Sequence, residues 1–137
     1  MIFCLDEISI FHNYEYDEDS GDWVAGKLSK LKATVHEKSK LACSFGLGHL
    51  RLYFQEQSGQ LRQAILDHDG EWNTTSTTAI AKPIIGTSLA AVASDDKLSV
   101  FYAHTPTNDE SSIHRLIYHN SQWTGKFILH TAPGEHF

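Results

Sequence analysis

Three tryptophans carry the strongest chemical signal in this chain. Trp23, Trp72 and Trp123 stand 49 and 51 residues apart, and each closes a similar stretch of sequence. An indole offers a broad apolar face and one N–H donor, suited to packing between sheets or to stacking on a ligand. Other chemistry is poorly provided for. The nine histidines (His12, His36, His49, His68, His104, His114, His119, His130 and His136) form no close-spaced ligand set of the kind structural zinc uses, so no metal is expected. The acidic pairs Asp17-Glu18-Asp19 and Asp95-Asp96 fall in turns and read as solvated surface. No nucleophile elbow, phosphate loop or HExxH helix is present, and no cofactor is implied. A glycosidase would need paired carboxylates in one pocket, and no repeat supplies them. His68-Asp69-Gly70-Glu71-Trp72 only grazes the Ser-x-Asp-x-Gly-x-x-Trp turn of sialidase propellers, with one residue too few between Gly and Trp. The expectation is a binding protein, not an enzyme.

The elements that must position these tryptophans are short strands. Runs at 41–45, 49–55, 60–66, 89–93, 98–104, 113–119 and 125–130 are rich in Val, Ile, Leu, Tyr and Phe and are separated by turn residues. Gln57-Ser58-Gly59 and His68-Asp69-Gly70 are hairpin connections, and Asp95-Asp96-Lys97 does a similar job. Residues 105–112 form a polar loop, and 74–83 a Thr-rich connection. Helical periodicity is weak throughout.

The strands repeat. Lys40-Leu41-Ala42 is echoed by Ser88-Leu89-Ala90, and Leu50-Arg51-Leu52-Tyr53-Phe54 by Leu98-Ser99-Val100-Phe101-Tyr102. Leu61-Arg62-Gln63-Ala64-Ile65-Leu66 is echoed by Ile113-His114-Arg115-Leu116-Ile117-Tyr118. A period near fifty residues filled with alternating strands marks β-propeller blades, so the fold class is all-β. One propeller-type domain spans 1–137, with a partial blade over about 1–37 and blades over about 38–86 and 87–137. Each full blade has four antiparallel strands, the innermost made of small residues. In the partial blade, 2–4 is a truncated second strand, 11–17 a third and 23–28 a fourth, and the innermost is missing. About 2.7 blades cannot close a ring, so self-association, most simply as a dimer, is expected to complete a six-bladed propeller.

Composition bounds the rest. A formal charge of -6 over 137 residues, with 41% hydrophobic and 20% charged content, fits an ordinary soluble globule and not a nucleic-acid binder. No apolar run approaches the ~20 residues of a membrane span. Residues 1–10 are too short and too acidic for a secretory signal, so a cytoplasmic or non-classically exported protein is expected. Cys4 and Cys43 lie in apolar strand contexts and are expected to be buried free thiols.

The order Leu41-Ala42-Cys43, Arg51-Leu52-Tyr53-Phe54-Gln55, Leu61-Arg62-Gln63, Trp72 resembles the repeats of the fungal fucose-binding lectins of the Aleuria aurantia type, which are six-bladed propellers. So does Leu89-Ala90-Ala91, Val100-Phe101-Tyr102, Ile113-His114-Arg115, Tyr118, Trp123, Gly125. The resemblance covers almost the whole chain. It implies a metal-independent lectin whose partners are fucosylated glycans or other saccharides, held between neighbouring blades. An Arg and a Glu from one blade meet a Tyr and a Trp from the next. A planar Arg donates to sugar oxygens, a carboxylate accepts from hydroxyls, and the aromatic face covers the sugar's apolar side.

Carried over residue by residue, one complete site comprises Arg51, Gln63, Tyr118 and Trp123. Gln63 stands where the family has Glu, which removes the charge from that acceptor. A candidate second site uses Trp72 with Leu66 in the Tyr position, but its polar half falls at Met1 and Asn13. Another would use Ser99 and Arg115 in place of Arg and Glu, completed by Tyr16 and Trp23 of a second copy. These departures favour the alternative, a propeller-type protein-interaction module that has lost sugar binding.

Overall fold

The computed structural model describes residues 1–76, 83–104 and 112–130, and it is built from antiparallel strands with one short 3₁₀ turn. The strands are β1 (Ile2–Leu5), β2 (Phe11–Asp17), β3 (Asp22–Ala25), β4 (Ala42–Gly46), β5 (His49–Gln55), β6 (Leu61–Leu66), β7 (Trp72–Ser76), β8 (Leu89–Ser94), β9 (Lys97–His104), β10 (Ser112–His119) and β11 (Gln122–His130). They form three meanders: a three-stranded sheet β1-β2-β3 and two four-stranded sheets, β4 to β7 and β8 to β11. Every pairing within them is antiparallel. These are propeller blades, the first without its innermost strand. Among the described residues no helix is long and apolar enough to cross a membrane.

The turns explain why the hairpins are tight. Leu47 and Gly48 join β4 to β5 with φ of 52° and 81°, and Asn120 and Ser121 join β10 to β11 with φ of 50° and 63°. Two consecutive left-handed residues match the right-handed twist of the flanking strands. Gly59 and Gly70, at φ 86° and 79°, supply the same freedom in the two turns anticipated from sequence.

The middle sheet is buried on both sides. Side chains alternate along a strand, so β5 sends Leu52 and Phe54 towards the first sheet and Arg51, Tyr53 and Gln55 towards the third. All five are buried. Phe11, Leu28, Val35, Leu52, Phe54, Ala64 and Trp72 form the first core, with Phe11 edge-on to Phe54 at 4.7 Å. Tyr53, Leu61, Val100, Tyr102 and Leu116 form the second. The innermost strands β4 and β8 pack so closely that a Cβ on Gly46 would sit 2.5 Å from the Ala93 Cβ and 2.6 Å from Leu98 Cδ2. Small residues on these strands are what allow that approach.

A hydroxyl latch recurs in both full blades. Ser39 Oγ accepts from Gln55 N at 2.8 Å and donates to the Lys40 carbonyl at 2.9 Å. Thr87 Oγ1 does the same for Ala103 N at 2.8 Å and the Ser88 carbonyl at 3.0 Å. Each latch ties the start of the innermost strand to the end of the second. Gln55 then clamps the inter-blade segment by donating to the carbonyls of Gly59 and Ile84 and accepting from Gly86 N.

Two expectations are corrected. Cys4 and Cys43 are both exposed. Cys4 lies on the outer face of the first sheet, beside exposed Ile2, Tyr16 and Trp23. Cys43 points towards the place where the first sheet has no innermost strand to cover it. The fourth strand of the first sheet also ends early, at Ala25. Leu28 instead lies in the 3₁₀ turn Leu28–Lys30. There the Asn13 side-chain carbonyl accepts from Leu28 N at 3.0 Å and draws Leu28 into the core. Residues 105–111 and 77–82 of the two anticipated loops lie outside the described residues.

Candidate functional site

The second junction, between the sheets β4–β7 and β8–β11, collects Arg51, Gln63, Tyr118 and Trp123. Arg51 pairs with Ile65 across β5 and β6, and Tyr53 pairs with Gln63. Arg51 and Gln63 are therefore diagonal neighbours on one face, with Tyr53 beside both. Opposite them, Tyr118 and Trp123 form a direct cross-strand pair between β10 and β11. Their rings are 5.2 Å apart, and the Trp123 ring meets Tyr53 edge-on at 6.2 Å. Tyr53, which shares this face and meets Trp123, was not named among the candidate residues in the sequence. Its position two residues after Arg51 on the same strand was the available signal.

The electrostatics are unusual for a strand buried on both faces. Arg51 is only 7% exposed and Gln63 only 3%. The Arg51 Nε donates to the Gly46 carbonyl at 3.0 Å, and no carboxylate lies within ion-pair distance among the described residues. A buried guanidinium normally has a partner for most of its five donors. Here one donor is held by backbone, which fixes the fork, and the terminal nitrogens remain available. The buried Ser44 and Tyr53 hydroxyls also lack a well-formed hydrogen bond among the described residues. Burial pushes the Tyr53 phenol up to about 12, against smaller opposing effects of the nearby Ser44 hydroxyl and the Arg51 charge. The phenol therefore stays neutral at physiological pH and can donate.

At the first junction Trp72 is structural in large part. It is 7% exposed, belongs to the first core and takes the edge of Phe3 at 5.8 Å. The polar positions hold Met1 and Asn13, whose amide nitrogen lies 3.8 Å from the Met1 sulfur. On the outer face of the third sheet, Arg115 Nε and Nη2 both donate to Ser99 Oγ, at 2.9 and 2.7 Å. The Arg115 guanidinium sits 5.7 Å above the Phe101 ring. On the outer face of the first sheet, Tyr16 and Trp23 pair at 5.5 Å and are 54% and 49% exposed. That pair reproduces the Tyr118–Trp123 arrangement without a polar half opposite it. Among the described residues no three of His, Cys, Asp and Glu are gathered as a metal would need.

No protein-family model matches the chain, and no curated protein matches it by sequence. Solved structures do match it. AofleA from Arthrobotrys oligospora superposes with a TM-score of 0.73 at 20% identity, over 90% of this chain and 37% of that one. A triple arginine-to-alanine variant of AofleA gives 0.76 at 15% identity, over 97% and 40%. A variant of Aleuria aurantia lectin in complex with α-methyl-L-fucoside gives 0.69 at 18% identity, over 96% and 42%. The chain thus spans about two fifths of the length of the proteins it matches. Its three sheets and their strand order are those of blades of the β-propeller fold that these solved structures share.

Proposed function

We propose that this protein is a non-catalytic carbohydrate-binding lectin, fucose-preferring, that holds its sugar at the second junction without a metal. The observation that carries this is Arg51: a buried, carboxylate-free guanidinium, pinned by one backbone bond, at the junction where Tyr118 and Trp123 supply an aromatic wall. The guanidinium donates to sugar oxygens, the Gln63 amide stands at the acceptor position, and the indole covers the apolar side of the ring. Calorimetric titration of methyl fucoside tests it. Wild type binds, while Arg51→Ala and Trp123→Ala lose binding. If both variants bind as well as wild type, the site is elsewhere.

A second reading has one observation in its favour, the neutral Gln63 where a carboxylate would strengthen hydroxyl recognition. In that case the chain is a protein-interaction module, and neither wild type nor Gln63→Glu binds any fucoside.

Assembly follows the same logic. The outer face of the first sheet carries an aromatic half-site, Tyr16 and Trp23, and the outer face of the third carries a polar one, Ser99 and Arg115. A homodimer would join them across copies. Light scattering at micromolar concentration should give about twice the 15.4 kDa chain mass; a stable monomer contradicts the dimer and leaves the second junction unaffected.

A further inference from the structure

The innermost strands of the second and third sheets lie side by side. β8 packs on the β4 face that carries Ala42, Ser44 and Gly46, so closely that Gly46 has no room for a side chain. The opposite face of β4 carries Cys43 and Phe45 and looks towards the inner edge of the first sheet. There β1 pairs with β2 on one side, and among the described residues no strand pairs with its other edge. A strand at that edge would continue, across β4, the row that β8 begins. We propose that this edge is a strand-addition site: it takes an extended, uncharged segment of a separate polypeptide as the innermost strand of the first sheet.

Three observations converge on the edge. The first is burial along β4. Ala42 and Ser44 are partly buried and Gly46 is buried, whereas Cys43 and Phe45 on the other face are exposed, Phe45 by 70%. The second is a hollow of about 180 Å³ beside them, lined by Phe3, Leu41, Ala42, Cys43 and Leu52, with no charged side chain. Phe45, Cys43 and this hollow make one continuous apolar surface, of the kind that marks an interaction site. The third is the edge itself. An unpaired strand edge is a template for another chain, and proteins usually blunt it with lysine, proline or an inward charge. β1 reads Ile2-Phe3-Cys4-Leu5 and carries none of these.

The other two sheets show what the occupant must be like. Phe45 holds the β4 place that Ala93 holds on β8, each next to the turn and opposite a leucine of the second strand, Leu50 or Leu98. Ala93 is met by a glycine, Gly46. A strand laid against Phe45 therefore needs a small residue there, and the uncharged lining of the hollow selects against charge on the same face. Main-chain hydrogen bonds to β1 would supply affinity, and these alternate side chains would supply selection. The source is a separate polypeptide. Among the described residues the small-residue strands are β4 and β8, and each already serves in its own sheet. A second copy could donate one only by opening a sheet. Joining two copies through the outer faces of the first and third sheets uses faces and leaves this edge unpaired.

The test uses the Cys4→Ser protein, which leaves Cys43 as its one thiol. The probe is a peptide with the sequence of residues 88–94, Ser-Leu-Ala-Ala-Val-Ala-Ser, an innermost strand without cysteine, blocked at both ends. Calorimetry gives its Kd, and alkylation of Cys43 reports whether the groove is covered. At a peptide concentration about ten times Kd, alkylation should slow about tenfold, because only the free fraction reacts. An Ala91→Pro peptide, which cannot complete the ladder, should neither bind nor protect. Phe45→Lys in the same protein changes an exposed side chain and should abolish both binding and protection. No peptide binding, binding without protection of Cys43, equal binding of the proline peptide, or undiminished binding in Phe45→Lys overturns the proposal. Cys43 that reacts as slowly as a buried thiol before peptide is added would show the edge covered within the protein, and also overturns it. Alkylation that slows as protein concentration rises would make the occupant a second copy and overturn the separate polypeptide.

Discussion

Between the second and third sheets, a buried arginine and a half-buried tyrosine–tryptophan pair face each other. Between the first and second, the corresponding positions hold a methionine, an asparagine and a buried tryptophan. The backbone frame is the same at both places: second and third strands of one sheet against the third and fourth of the next. What differs is where the cost of burying polar groups falls. At the second junction Arg51 is buried with a single backbone partner, so the interface is left polar and incompletely satisfied. At the first, Phe3, Phe11, Leu28 and Trp72 close an apolar core, and the charges are displaced to the rim as Lys27, Glu15 and Asp69. One junction keeps a buried arginine with donors to spare, while the other is mainly an apolar weld with a cleft beside it.

The sharpest way to break this comparison is to remove each tryptophan in turn. Trp72→Ala should cost about 3–5 kcal/mol of stability, the usual penalty for emptying a core aromatic site, and urea denaturation would show a much lower midpoint. Trp123→Ala should shift the midpoint far less while removing fucoside binding in calorimetry. If the two variants destabilise equally, the division of labour between the junctions is wrong.

The next effect in size is at the axis. Gly46→Ala would place a methyl group against Ala93 and Leu98. It should lower the melting temperature and, by displacing the Gly46 carbonyl that holds Arg51 Nε, weaken fucoside binding as well. A stable Gly46→Ala protein with unchanged affinity would show that the guanidinium does not depend on that anchor.

The aromatic beat and the strand alternation were legible because period and pleat leave direct marks on sequence. The assignment of β2, β5 and β6 needed nothing more. The latch residues Ser39 and Thr87 were not legible, because a hydroxyl that accepts from a backbone N–H sixteen residues away leaves no local pattern. The exposure of Cys4 and Cys43 was misjudged for a related reason. An apolar strand context says that a residue can be buried, and only the neighbouring sheet decides whether it is. Of the candidate site, Arg51 and Gln63 were placed by motif order, but no separate part was read for Tyr53. Its contact with Trp123 emerges only when β10 and β11 bring the indole against it.

Smaller effects sharpen the picture. Gln63→Glu should strengthen fucoside binding several-fold by placing a charged acceptor near Arg51; weaker binding would mean the amide is used as a donor. Tyr53 gives a pH signature. Its folded-state pKa of about 12 lies above the ordinary 10.0, so the unfolded chain releases this proton first. The contribution to stability is intact below pH 10 and fades as pH rises towards 12. Tyr53→Phe should flatten that alkaline decline, read as unfolding midpoints across the range. The smallest change is expected at the exposed Lys27–Glu71 pair. Lys27→Ala should leave the urea unfolding midpoint nearly unchanged, because water and salt screen an exposed pair.

The most direct measurement is a crystal structure of this protein grown with methyl fucoside. The account predicts sugar density at the second junction, with its oxygens within hydrogen-bonding distance of the Arg51 terminal nitrogens and Gln63, and its apolar side on Trp123. Sugar density at another place, with the second junction empty and Arg51 unchanged, would contradict it.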